Sequence, residues 1–285
     1  MRTLIMVLKN YSYPYIEDFL AGVEKEGIGV MCLDSEKIEV PGDFSTEDYR
    51  YSYVITDCSE GVIYAHDNNC GFIFYETDSE AAFKVRSAQC IIQSFEGVDA
   101  EFVIKMYERF HNIPWTILTT KRLTLREITV NDIDRLYEIY ADPSITKYTE
   151  PLFEDRDEEL AYTRDYIENV YPFFNYGMWI VVENATGRIV GRAGIVNRDG
   201  YEEAEIGFII EKERQRRGYA LEICSAIIEY AKEELSMKGL NCFIHPENEA
   251  SINLAGRLCF EYMDEALLDG VKHSRYYRKL GVDYE

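Results

Sequence analysis

The sequence predicts an α/β protein of two parts, a small parallel α/β domain over residues 1–115 and an α+β domain over residues 116–285. Three observations carry this. The chain has 285 residues, enough for two domains at about 150 residues each. Its first part alternates short apolar strands with helices, the pattern of a parallel sheet covered on both faces. Its second part contains strand pairs separated by turn residues, which read as hairpins. A hydrophobic content of 47%, with 23 tyrosines and 14 phenylalanines, supplies two packed cores and argues against disorder.

The first part begins with an apolar strand, Thr3 to Leu8, then a helix from Tyr15 to Lys25 and a strand from Gly27 to Leu33. Tyr53 to Thr56 and Phe72 to Tyr75 read as further strands, Cys90 to Gln93 as a fifth, and Ala100 to Phe110 as a helix. A linker is expected near residues 112–119, around Pro114. Beyond it Leu123 to Glu127 alternates as a strand. Val130-Asn131-Asp132 opens a helix running through Tyr140, with Asn131 or Asp132 as its cap. Asp155 to Val170 is helical. Met178 to Glu183 and Arg188 to Val196 flank Asn184-Ala185-Thr186-Gly187 as a hairpin, and a strand around Glu205 follows a polar turn at 197–201. Ala220 to Leu235 is a long amphipathic helix. A strand from Asn241, a helix from Ala250 to Leu258 and a last hairpin pivoting on Asp269-Gly270 complete the chain.

Composition excludes several classes. A formal charge of −22 repels nucleic acid and anionic membranes, whose binding depends on phosphate neutralisation. The same charge would steer a cationic acceptor, such as an amine. No apolar run approaches the roughly 20 residues of a membrane-spanning helix. Met1 to Lys9 carries Arg2 and Lys9 and lacks the long apolar core of a signal peptide. The expected location is cytoplasmic. The seven cysteines are scattered without a Cys-x-x-Cys pair, and the four histidines show no ligand spacing. Buried free thiols and no metal site are therefore expected.

The most informative stretch is Gln215-Arg216-Arg217-Gly218-Tyr219-Ala220, between the apolar strand Ala204–Ile210 and the amphipathic helix. A glycine among backbone amides at a helix start suits a diphosphate, because the amides and the positive end of the helix dipole face it. Arg214, Arg216 and Arg217 make a positive island in an acidic chain. Gln215, Gly218 and Ala220 match the (Arg/Gln)-x-x-Gly-x-(Gly/Ala) signature of the GNAT superfamily of acetyl-coenzyme A-dependent N-acetyltransferases. Asn248 followed by Ser251 after the next strand resembles a second coenzyme A contact of that family. Ala204-Glu205-Ile206-Gly207-Phe208 resembles its branch that acetylates ribosomal-protein N-termini. The resemblance covers roughly residues 117–280 and implies a GNAT-like α+β domain with a mixed, mostly antiparallel sheet.

It also implies where acetyl-coenzyme A would lie. The pantetheine arm would pair with the backbone of Phe208, Ile209 and Ile210. The pyrophosphate would sit on the amides of Arg216, Arg217, Gly218, Tyr219 and Ala220, with Asn248 and Ser251 as the second contact. Acyl transfer needs a neutral amine, so a carboxylate near the thioester must accept a proton. Glu205 is the candidate, with Glu203 next. Alternation puts Glu203, Glu205 and Gly207 on one strand face and Ala204, Ile206 and Phe208 on the other, which also describes an ordinary half-exposed strand. The tyrosine that commonly protonates the family's leaving thiolate is replaced by Ala255. At most one of Tyr276 and Tyr277 could reach the site. Trp179 and the aromatic group Tyr171, Phe173, Phe174 and Tyr176 read as core rather than as an acceptor pocket.

The N-terminal domain faintly resembles haloacid dehalogenase-like phosphatases around Val54 to Ser59, yet its first strand ends Leu8-Lys9-Asn10-Tyr11-Ser12, without the aspartates that their chemistry needs. A degenerate domain with an interaction or regulatory role follows. The expected function is acetyl transfer to a primary amine, on a protein N-terminus or a small molecule. The competing expectation is a non-catalytic acyl-coenzyme A sensor acting through the N-terminal domain. A homodimer is left open, and the sequence does not name the acceptor.

Overall fold

The structure, a computed structural model, describes residues 1–42, 44–77 and 87–281. The chain forms two compact units, Met1–Trp115 and Thr116–Glu285.

In the first unit, β1 (Thr3–Leu8), β2 (Gly29–Asp34), β3 (Ser52–Thr56), β4 (Phe72–Tyr75) and β5 (Cys90–Ile92) form a parallel sheet of order β2-β1-β3-β4-β5. Every residue of β3 and β4 is buried, as expected for strands covered on both faces. The helices Ile16–Lys25 and Ala100–Phe110 pack on one face. A helix not anticipated from the sequence, Ser59–Asp67, covers the other. Gly61 lowers its helix propensity, but a Cβ there would lie 2.0 Å from Thr56 Oγ1. The helix presses too closely on β3 for any side chain. Asp57, at the end of β3, accepts the Lys9 amide at 3.0 Å and the Tyr13 hydroxyl at 2.5 Å.

The second unit is an eight-stranded mixed sheet of order β12-β13-β11-β10-β9-β8-β7-β6. Its strands are β6 (Thr116–Thr119), β7 (Leu123–Arg126), β8 (Met178–Glu183), β9 (Arg188–Val196), β10 (Glu205–Ile210), β11 (Gly239–Ile244), β12 (Glu261–Leu268) and β13 (Val271–Lys279). Among the described residues of this unit, only β10 and β11 pair in parallel. The expected linker at 112–119 is partly strand, since Thr116–Thr119 pairs with β7. Asp132 stands at the N-cap position of the helix Ile133–Tyr140, without a side-chain cap bond there, and a short turn Val130–Asp132 capped by Thr129 precedes it. Asp132 lies at the third position of that turn and returns the bond to Thr129 in a capping box, which satisfies two orphan amides at once.

The helical region after Asp155 is α-helical only to Asp165. A π turn spans Tyr166–Val170, and Tyr171–Phe174 follows before Asn175 at φ 58° ends the run. The last hairpin turns on Asp269 and Gly270, both at positive φ, as a two-residue primed turn requires. Trp179 and Tyr171 are fully buried, whereas Phe173 is 78% exposed. All seven cysteines are free thiols; Cys58, Cys70, Cys224 and Cys242 are buried, while Cys32 and Cys259 are exposed. Among the described residues, no cluster suits a metal ion and no helix is long and apolar enough to cross a membrane.

Candidate functional site

The site begins where two central strands stop pairing. β10 and β11 share a single register pair, Glu205 with Asn241, closed by the Asn241 amide on the Ala204 carbonyl at 2.8 Å. Beyond it β10 pairs only with β9, through Ile210, and β11 only with β13. The facing edges therefore diverge with their backbone groups unclaimed by each other, and a cavity of about 890 Å³ opens along the gap. Ile206–Ile209 form one wall and Cys242–His245 the other, with Asn248 and Ser251 alongside. Unpaired strand edges inside a fold are costly unless something fulfils them.

Glu205 lines this cavity at 8% exposure, which corrects the half-exposed strand left open by its sequence pattern. Register puts Glu205 beside Val196, Gly207 beside Gly194, and Ile209 beside Arg192, all on one face. Arg198 Nε donates to Glu205 Oε2 at 2.7 Å. Burial pushes the carboxyl up; Arg198 and the Phe243 backbone amide oppose this without reversing it. The result is a carboxyl that holds a proton more readily than an ordinary glutamate. Glu203 does not line the cavity; its carbonyl accepts the Asn241 side chain at 2.7 Å.

The loop after β10 has an alternating backbone. Arg216 lies at φ 59° and Gly218 at φ 79°, immediately before the helix Tyr219–Glu233. The first helical bond runs from Glu222 N–H to the Gly218 carbonyl at 3.0 Å. The amides of Tyr219, Ala220 and Leu221 thus precede the helical ladder, at its positive end. The side chains of Gln215 to Ala220 do not line the cavity; the loop follows the far end of β10. Gln215 donates to the Ile210 carbonyl at 3.0 Å and fastens the loop to its strand.

The positive island is smaller than the sequence suggests. Arg214 donates to both oxygens of Glu183, at 3.1 and 3.3 Å. Arg216 and Arg217 are exposed and form no ion pair among the described residues. Glu183, at the end of β8, also accepts the Tyr219 hydroxyl at 2.6 Å and the Thr186 hydroxyl at 2.7 Å. On the other flank Arg122 donates to Glu222 at 2.6 Å and to the Arg217 carbonyl at 2.9 Å, and stacks on the Tyr219 ring. Neither anchor was anticipated, because Glu183 and Arg122 lie far from the loop in sequence.

The Tyr219 and Thr186 hydroxyls, with Arg214, hold Glu183 down from an ordinary 4.5 to about 2. A depressed carboxyl adds stability above 4.5 that is lost as pH falls toward 2. Glu183→Gln should therefore melt a few degrees lower than wild type at pH 7. The gap should close between pH 4.5 and 2, measured as Tm against pH. A gap independent of pH would contradict this assignment.

Asn248 caps the helix Glu249–Arg257, its Oδ1 accepting the Ser251 amide at 3.2 Å. Its Nδ2 and the Ser251 hydroxyl make no hydrogen bond among the described residues. Ala255 is buried in the core, and neither Tyr276 nor Tyr277 lines the cavity. Among the proton-bearing side chains that line it, Tyr148 and His245 lie on the wall of Asn248. Tyr148 donates to the Glu247 carbonyl at 3.2 Å, and its ring lies 5.1 Å from that of His245.

A mixed sheet whose central parallel pair splays beside a strand–loop–helix turn is the architecture that the GNAT resemblance implies. Residues 122–261 match the family described as Acetyltransferase (GNAT) domain. This part of the chain is a GNAT acetyltransferase domain, and the protein is an acyltransferase. It is similar to the uncharacterized N-acetyltransferase p20 of Bacillus licheniformis, 29% identical over 151 residues that cover 50% of this chain and 82% of that protein. The uncharacterized N-acetyltransferase YnaD of Bacillus subtilis is 27% identical over 142 residues, 50% of this chain and 80% of that one. A putative ribosomal-protein-serine acetyltransferase from Vibrio cholerae shares the fold, with a TM-score of 0.50 at 23% identity over 58% of this chain and 97% of that one. So does a ribosomal-protein-S5-alanine acetyltransferase from Vibrio fischeri, with a TM-score of 0.50 at 14% identity over 59% and 98%.

Proposed function

We propose that residues 116–285 are a catalytic domain that transfers the acetyl group of acetyl-coenzyme A to a primary amine, on a protein N-terminus or a small molecule. The observation that carries this is the parting of β10 from β11 beyond Glu205, with an open-amide loop at the far end of the same strand. The donor set fits the cofactor. The gap-facing backbone of Phe208 suits an extended chain of amides, with Ile209 beside it turned to β9 and the Ile210 carbonyl held by Gln215. The amides from Arg216 to Ala220, with two exposed guanidinium groups, suit a diphosphate. Asn248 and Ser251 offer unused hydrogen-bonding groups on the opposite wall. Acetyl-coenzyme A, when bound, supplies an activated acyl group and a thiol leaving group.

The chain's own groups do the rest. Glu205 accepts the proton that an ammonium acceptor must lose, directly or through a water. Arg198 fixes the orientation of that carboxylate. The low exposure of Glu205 strengthens its interaction with a charged amine. Tyr148 and His245, beside Asn248, carry protons on the wall where Ala255 provides none. Tyr148→Phe should lower kcat about 10-fold, below the 100- to 10,000-fold span of general acid–base groups, because His245 remains; KM for the cofactor should not change. An unaltered kcat would remove Tyr148 from the scheme.

Several structural relatives carry names of ribosomal-protein acetyltransferases, which favours a peptide amine as one acceptor class. The decisive measurement is thiol release on mixing the protein with acetyl-coenzyme A and a panel of peptides and small amines. Release with at least one amine is expected. Tight cofactor binding without release from any acceptor would overturn catalysis.

A further inference from the structure

Of the charged side chains in the cavity that have no part in the scheme above, Arg192 is the one with a buried atom left without a partner. Arg192 sits in the middle of β9, on the face that carries Glu205, and lines the same cavity. It is a cation set among apolar neighbours, Val190, Ala193 and Ile195 being fully buried. The groups acting on it are the hydroxyls of Tyr140, Tyr171 and Tyr166. No carboxylate pairs with it among the described residues, and its Nε is buried without a hydrogen-bond partner. Four buried acids of this unit have arginine partners, whereas buried Glu159, which lines the same cavity, accepts the Phe153 amide. Glu183 has Arg214, Glu205 has Arg198, Glu211 has Arg135, and Asp132 has Arg126. A guanidinium in a largely apolar wall without a countercharge is costly, so an unpaired one facing a cavity is suited to bind an anion.

Burial works against the Arg192 charge, yet the surrounding tyrosines keep the group firmly protonated. It keeps partial exposure because it faces the cavity rather than the core. Arg192 pairs with Ile209 and Val196 with Glu205, so the two charged residues are four strand positions apart, roughly 13 Å along the sheet. Two long side chains on one face and a small ligand between them can bridge that span. The phosphate-suited loop lies beyond the end of β10, and its own arginines already serve it. A carboxylate is therefore the anion that a planar guanidinium fork in this position matches.

Resting on the acetyltransferase reading, we propose that the acceptor is a small amine that also bears a carboxylate, an amino acid, with its amine at Glu205 and its carboxylate on Arg192. Glu150, Glu159 and Asp269 also line the cavity, but Glu205 shares the sheet face of the unpaired Arg192, and a zwitterion fulfils both without a net charge transfer into the fold. Arg192 is in this scheme a specificity-determining residue.

The test compares the proteinogenic amino acids with their carboxamides, by thiol release and by the Tm shift each causes in the presence of coenzyme A. The wild type should use at least one amino acid roughly 10- to 100-fold better in kcat/KM than its carboxamide, the effect of one charge-assisted hydrogen bond. Arg192→Gln should bring that ratio near one through KM, with coenzyme A binding unchanged, and Arg192→Lys should restore part of it. Turnover only of carboxylate-free amines, or a preference that survives in Arg192→Gln, would overturn the proposal and leave acetyl transfer intact. Arg192-dependent use of succinyl-coenzyme A, with carboxamides fully accepted, would also overturn it by moving the carboxylate to the acyl group. Should no acceptor release thiol, a Tm rise with an amino acid that is lost in Arg192→Gln would still support the anion site. Absence of both would refute it.

Discussion

Glu205→Gln should lower kcat at least ~100-fold with little change in coenzyme A affinity, since general bases contribute 100- to 10,000-fold. The substitution keeps size and removes only the proton acceptor. Activity of the wild type should rise with pH through an acid limb lying above the ordinary carboxylate range, because burial raises the Glu205 carboxyl against Arg198 and the Phe243 amide. Arg198→Met should move that limb further up and leave kcat at high pH nearly intact. The stability sign is opposite to that of a salt-bridged surface acid. A raised carboxyl contributes stability fully present below its unfolded value, and that contribution is lost as pH rises through the folded value. Glu205→Gln should therefore melt no lower than wild type at neutral pH. Steady-state kinetics with melting curves across pH checks both parts. Full activity in Glu205→Gln would remove the base, and a large loss of stability at pH 7 would mark a structural role instead.

Gly218→Glu should abolish coenzyme A binding. At φ 79° an L side chain is strained by about 1–2 kcal/mol. Space is not the obstacle on the protein side, because a Cβ there would meet only Arg122 Nη2 at 3.5 Å. The added carboxylate would lie among the amides that face the diphosphate. A unit charge about 4 Å from another at an effective dielectric near 20 costs about 4 kcal/mol, close to 1,000-fold in affinity. Gly218→Ala separates strain from charge and should weaken binding only about 10-fold. Isothermal titration with coenzyme A distinguishes the two variants. Wild-type affinity in Gly218→Glu would refute the cradle.

Much of the fold was legible because it is written in local periods. β1, β3 and β4 are short apolar runs, and the Asp269-Gly270 turn carries its own φ requirement, so each could be placed before any tertiary contact was known. The helix Ser59–Asp67 was missed for an instructive reason. Gly61 weakens its local signal, and the close approach to Thr56 that demands a glycine is a long-range fact. The strand Thr116–Thr119 was hidden similarly, since a four-residue edge strand next to Pro114 has little periodicity of its own.

The site divides along the same line. The strand, the glycine at 218, the helix behind it and the acidic residue at 205 could all be read from order and spacing, because they are consecutive and their chemistry is that of backbone and helix end. The folded chain alone reveals that β10 leaves β11 after one register pair. It also brings Glu183 and Arg122 from 36 and 95 residues away to hold Tyr219 and Arg217, neutralises Arg214, and sets Arg198 against Glu205. Ion pairs between buried residues obey the geometry of packed elements and leave no period in the sequence. Arg192 stands between the two cases: a charge in the middle of an apolar strand is written in the sequence but drew no expectation there, and its lack of an ion-pair partner among the described residues is a property of the surrounding fold.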